Sequence, residues 1–390
     1  MNRQRPLRAT SPNILQRLQE HGVRFRDLQE APADAAALAK SFVDFPSKYP
    51  FSDRTSSLDT LRNGVYVLSC GMGAEMRHAI NAAASPRPEL IQDAAGLPEG
   101  YWMSKINFPT LMKAFDEAFE TGTITVMQGI LWAKGRQLQD ARLTTPRRYA
   151  NPRPDAVVGL DFVRGDAVVA GDPLCTTVLD RLRAGFPDFE PSPDGYALLP
   201  GFIFEAEPED GRAEVLKAQV AFSAARALAL LQHIRQLSGV ESEAPMIPLA
   251  TSAAHMWNFY LAVLSPTVDG EMDTTLYQIG PVLDITSFCD KVRLQLVLYR
   301  INHWLIQTHR QRVCEDLTGM LLQLSPPQRA PVGRARHVQA GAEAEGRVRE
   351  GKNGDAAEGR AEPQVRPAKR GRTGRRRRAW RREVRVADVM

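Results

Sequence analysis

One stretch, from Gly201 to Leu237, limits the fold of this chain more than any other: GFIFEAEPEDGRAEVLKAQVAFSAARALALLQHIRQL. It opens on the apolar run Phe202-Ile203-Phe204, which Glu205-Ala206-Glu207-Pro208-Glu209-Asp210-Gly211 stops abruptly. Such a run reads as a buried strand with carboxylates at its end. Because side chains alternate across a strand, Glu205 and Glu207 point to one face and Ala206 to the other. From Ala213 the period changes. Val215, Leu216, Val220, Ala224, Leu228 and Leu231 recur at helical spacing among many alanines, which predicts a long helix.

A strand that ends in carboxylates and runs into a helix is a frame on which a divalent cation can be held. Magnesium takes oxygen ligands, so a further carboxylate from a neighbouring strand would complete a site. Arg153-Pro154-Asp155-Ala156-Val157-Val158-Gly159-Leu160 supplies one, because Asp155 opens a β-branched run able to pair beside Phe202–Phe204. The same acidic turn also fits a solvated loop whose carboxylates favour a helix N-terminus. Both readings stand at this point. Arg147, Arg148 and Arg153, just before Asp155, would suit a phosphate or simply solvent.

The remaining pattern is that of a mixed α/β chain. Its 390 residues, 43% of them hydrophobic, can bury a sizeable core. Helices are expected at 13–19, 31–45, 74–84, 109–120 and 174–186, and a long helix or helix pair at 286–324. Strands are expected at 246–249, 257–264 and 275–279, with an apolar segment at 61–70 and a turn region at 187–200. Residues 1–60, interrupted by Pro46 and Pro50, read as a partly ordered arm. His303 and His309 fall on different faces of their helix and make no metal pair. Gly71-Met72-Gly73 lacks the third glycine of a dinucleotide fingerprint.

Cys70, Cys175, Cys289 and Cys314 are widely spaced, suggesting neither a zinc site nor a disulfide framework, and a reducing intracellular compartment is expected. The N-terminus lacks the apolar core of a secretory signal. Residues 246–264 are interrupted by Thr251, Ser252, His255 and Asn258 and read as strand, so no membrane partner is expected. Residues 331–390 hold 17 Lys+Arg against 8 Asp+Glu, a net of +9, out of a total of +5. Residues 1–330 are therefore at −4, which argues against a strong grip on nucleic acid by the whole folded body. From 326 to 390 the composition is that of a disordered, basic C-terminal tail, and its run 369–378 is dense enough for nuclear import or a nonspecific nucleic-acid contact.

Taken in order, RPDAVVGL, FIFEAE and the alanine-rich KAQVAFSAARAL resemble the motifs of the PD-(D/E)XK nuclease superfamily, in particular a nuclease-like domain of many fungal proteins. MWNFYLAV, the turn around Asp269-Gly270 and YRINHWLIQTHRQRVCEDL look like that domain's closing strands and last helix. The resemblance spans residues 61–325. It implies a restriction-endonuclease-like fold, a central mixed sheet flanked by helices, and Mg2+-dependent hydrolysis of phosphodiesters in DNA. On that reading Asp155 and Glu205 ligate magnesium, Glu75 is the upstream acidic residue, and Gln219 orients the water or contacts the backbone.

The chain departs from the motif where it matters. Glu207 stands where the family has lysine, reversing the sign of the charge near the nucleophile; losing such stabilisation costs about two to three powers of ten in rate. Lys217, on the helix, could reach back to supply the charge, or Glu207 could serve as a third ligand. Two functions follow as expectations: an intracellular, nuclear magnesium-dependent nuclease, or a degenerate nuclease fold kept as a nucleic-acid-binding or scaffold module.

Overall fold

Among the described residues, seven segments with β-branched and aromatic residues form one sheet. They are β1 (Val23–Arg26), β2 (Ile124–Gln128), β3 (Ala156–Asp161), β4 (Leu198–Glu207), β5 (Met246–Ala253), β6 (Met256–Pro266) and β7 (Met272–Asp284), in the order β1-β7-β6-β5-β4-β3-β2. Pairs β1/β7 and β4/β5 are parallel and the other four are antiparallel, so the sheet is mixed and mostly antiparallel. The computed structural model describes residues 13–20, 22–45, 73–83, 91, 97–120, 124–129, 153–163, 172–191, 198–207, 212–241, 243–266 and 272–324. The expected segment at 61–70, Arg147, Arg148 and the basic run 369–378 lie outside them. The chain divides into two units, 1–329 and 330–390, and the second lies wholly outside the described residues.

Period-two alternation sends the strands' side chains to two cores. One face carries Phe202, Phe204 and Ala206 of β4 with Ala156, Val158 and Leu160 of β3. Against it pack α2 (Ala33–Val43), α5 (Phe108–Glu120) and α8 (Phe288–Trp304). The other face carries Ile203, Val157, Leu249 and Tyr260 beneath α1 (Ile14–Glu20) and α7 (Ala213–Ser238). α7 is the long helix expected from the sequence, and it stops where Gly239 takes φ +65°, the left-handed turn that glycine adopts without strain. α3 (Gly73–Ala83) forms a third, smaller cluster with α8. α6 (Thr176–Gly185) fills the connection between β3 and β4. No helix among the described residues is long and apolar enough to cross a membrane.

Three local features differ from the sequence expectation. First, β4 begins at Leu198 and so includes Pro200, which was expected in a turn region. Proline has no ladder donor, and the register of β3 on β4 shifts at Val158/Gly159, opposite Pro200, which accommodates it. Gly159 fits because a Cβ there would lie 2.3 Å from the Leu199 carbonyl oxygen.

Second, the helix expected to begin at Pro109 reaches back through a π turn, Met103–Asn107, to the one-turn α4 (Glu99–Trp102). Pro109 cannot donate to the preceding turn, and the Phe108 N–H bonds instead to the Met103 carbonyl, five residues back. A second π turn, Leu305–His309, joins α8 to α9 (Arg310–Gln323) and buries His309 while His303 stays exposed.

Third, within the expected arm, residues 14–43 are part of the core. Ile14, Leu18 and Val23 pack under α7, β1 pairs in parallel with β7, and Ala35, Ala39 and Phe42 join the opposite core.

Candidate functional site

The ends of β3 and β4 bring the two acidic stations together. Ala156 pairs with Phe204, so Asp155 and Glu205 stand opposite each other, one step along the same antiparallel ladder. Directly opposed residues share a face, here the α7 face that also receives Val157 and Ile203. Main-chain bonds lock the pair both ways. The Ala206 N–H donates to Asp155 Oδ2 at 2.7 Å, and the Asp155 N–H donates to the Glu205 carboxylate.

Glu205 is only 2% exposed. Its Oε1 accepts a 2.6 Å bond from the hydroxyl of Ser223, a small residue on the α7 face that overlies the strand. Burial, with the Asp155 charge beside it, pushes its pKa well above the ordinary carboxylate range. Asp155 is raised to about 6, first by desolvation, then by repulsion from Glu99 and Glu207, against the lowering effect of the Ala206 amide and of Arg153. Arg153 is itself steadied by donating to the Gly129 carbonyl at 2.9 Å.

Glu99 is the acid that sequence reasoning missed. It opens α4 behind Pro98, its charge is felt by Asp155, and burial raises its pKa as well. Glu75, expected as the upstream acid, is held at 2.7 Å by Arg300 of α8 and is not among the charges acting on Asp155. The Pro-Glu pair at a helix start was the available signal for Glu99, but a single helical turn leaves no periodicity to find.

Gln219 lies one turn before Ser223 on α7, and its Oε1 is buried with no hydrogen bond from the described residues. Glu207 and Lys217 line a common crevice with Arg212, Thr251, Asn258 and Tyr260. The Lys217 ammonium sits 5.9 Å from the centroid of the Phe25 ring on β1.

Among the described residues no group of three or more His, Cys, Asp or Glu side chains is gathered as a metal cage. Magnesium does not require one: it usually keeps several waters and binds through one or two carboxylates and the substrate's phosphates. The Asp155–Glu205 pair and the orphaned Gln219 oxygen are donors of that hard-oxygen kind. Two facing carboxylates whose ionisation is opposed by burial and by neighbouring negative charge are also a natural place for a cation, which would relieve both effects.

No family model matches the chain, and no curated protein matches it.

Proposed function

We propose that this chain is a PD-(D/E)XK nuclease-like protein with a restriction-endonuclease-like core, and that Asp155 and Glu205 hold Mg2+ for hydrolysis of a phosphodiester in DNA. The observation that carries the proposal is the facing pair itself, two carboxylates from adjacent strands, one bonded to the Ala206 amide and the other to the Asp155 amide, both with raised pKa. Bound magnesium would activate a water and neutralise charge gathering on the phosphate. Asp155 and Glu205 fix the cation's place. Gln219 orients the attacking water with its free oxygen, Glu99 adds negative charge on the Asp155 side, and Lys217 with Arg212 supplies positive charge at the adjoining crevice. The Arg-rich segment 369–378 adds nonspecific affinity for nucleic acid and directs the protein to the nucleus.

A second reading rests on a specific observation. Glu207 occupies the lysine's place, and the Glu205 carboxylate is sealed under Ser223. A fold of this kind binds nucleic acid, or acts as a scaffold, without cutting it.

The test is magnesium calorimetry on the full chain beside Asp155→Ala and Glu205→Ala, with nicking of supercoiled plasmid scored on the same samples. The full chain is needed because residues 14–43 are part of the core. Binding and nicking that disappear in both variants support the nuclease. Magnesium binding without nicking supports the second reading, and no heat of binding in the wild type rules out the metal site.

A further inference from the structure

Beside the carboxylate pair, the start of α7 and the ends of β4, β5 and β6 enclose an open crevice of about 410 Å3, counted out to solvent. Its wall carries Glu207 on the β4 side, Arg212 and Lys217 on the helix, Thr251 on β5, and Asn258 and Tyr260 on β6. The body of the protein is slightly acidic, so two cations facing one hollow are a local exception. Among the described residues neither Arg212 nor Lys217 is in an ion pair. Lys217 is nonetheless held in place. Its ammonium lies over the Phe25 ring, which meets Tyr260 edge to face at 6.1 Å. The Tyr260 and Thr251 side chains are hydrogen-bonded to each other, which orders the floor.

We propose that this crevice is a phosphate subsite that takes a backbone phosphodiester of a bound nucleic-acid strand, with Arg212 and Lys217 as its cationic contacts and Asn258 as a polar one. The inference rests on the function proposed above and adds the position of the neighbouring phosphate. Strands in a sheet lie about 4.8 Å apart, so β5 and β6 stand roughly 5–10 Å from the β4 strand that carries Glu205. A group in the crevice is therefore beside the metal position and not on it: the site holds a flanking phosphate while Asp155 and Glu205 face the scissile one. Arg212 is the N-cap of α7 and Ala213 also lines the crevice, so the positive end of the helix dipole lies on the same side as the two cations, offset in part by Glu214 of the first turn. Glu207, at the boundary between the two positions, repels a strand that is shifted toward the sheet.

The experiment is an acetylation footprint of the full chain in the presence of EDTA, with single-stranded oligothymidylate octamer as the probe and the label at Lys217 read by mass spectrometry. Reading one residue separates this site from binding by the Arg-rich tail. The octamer is expected to slow labelling of Lys217 by about tenfold, as for loss of access through one charge-assisted contact, and to leave the exposed Lys40 and Lys113 unchanged. Arg212→Gln, at an exposed position, is expected to abolish the protection, and Asp155→Asn to retain it. Unchanged labelling of Lys217, or protection that survives Arg212→Gln, overturns the subsite. Equal protection by inorganic phosphate at the same phosphate concentration overturns the strand in favour of a free anion. Because metal is absent, protection without any magnesium binding refutes only the metal reading, and intact nicking without protection refutes only the subsite.

Discussion

Replacing Asp155 with asparagine should make the protein more stable at alkaline pH. In the folded state the Asp155 pKa is raised from 3.8 to about 6. The fold thus binds this proton more tightly than the unfolded chain does. Its contribution is fully present below about pH 4 and is lost as pH rises through about 6. Two pKa units correspond to about 3 kcal/mol, the cost of keeping the carboxylate ionised at pH 8. Asparagine removes that cost and still offers an oxygen to the Ala206 N–H, as the protonated carboxyl does; the stronger bond to the ionised form is already counted in the raised pKa. The net expectation is a gain of about 3 kcal/mol at pH 8 and little change at pH 4, where the folded-state carboxyl is already uncharged. For a folded unit of this size, that gain raises the melting temperature by several degrees. Thermal and urea unfolding of both proteins at pH 8 and pH 4 is the assay. A loss of stability at pH 8, or the same change at both pH values, would refute the reasoning. Magnesium should stabilise only the wild type, because a ligand of the folded state adds stability in proportion to its occupancy.

His309 has the opposite dependence: burial lowers its pKa from 6.5 to about 4, so its contribution is present above 6.5 and is lost as pH falls through 4, by up to about 3 kcal/mol. His309→Gln should therefore lose up to about 3 kcal/mol less stability than the wild type between pH 6.5 and 4, and a pH profile identical to the wild type's in urea melts would count against it. Gly159→Ala should destabilise by about 2–3 kcal/mol at every pH, since its Cβ would meet the Leu199 carbonyl; a neutral result in chemical denaturation would show that the bulge can shift. Arg300→Ala removes the Glu75 pair and the bonds to the Phe42 and Asp44 carbonyls, and should cost about 2 kcal/mol, with hydrogen exchange accelerated in residues 33–43 and 73–83 before the rest of the core.

The parts legible in the sequence are those that carry their own periodicity. The apolar run before Glu205, the β-branched run after Asp155 and the spacing through α7 each state an element and a face, so the meeting of the two carboxylates follows from the sequence. Glu99 does not, because its helix is a single turn joined to α5 through a π turn, and Pro109 disguises their continuity. Pro200 misleads for a related reason: proline signals a turn unless a local bulge takes up its missing donor, and here the register skips Gly201 of the same strand opposite Gly159, 41 residues before Pro200. β1 is four residues long and has meaning only beside β7, a partner that no local window contains.

That last pairing has a consequence for how the protein is made. Val23 pairs with Thr274, a separation of 251 residues, so β1 completes the sheet with a strand that is synthesised long after it. At about 5–20 residues per second, the first strand waits on the order of 10–50 s for its partner, with the apolar surfaces of α1 and α2 uncovered meanwhile. Contacts so distant also place the chain among slow folders. A protein shortened at its N-terminus would keep the carboxylate pair but leave β7 as a bare edge, open to pairing with another copy of itself.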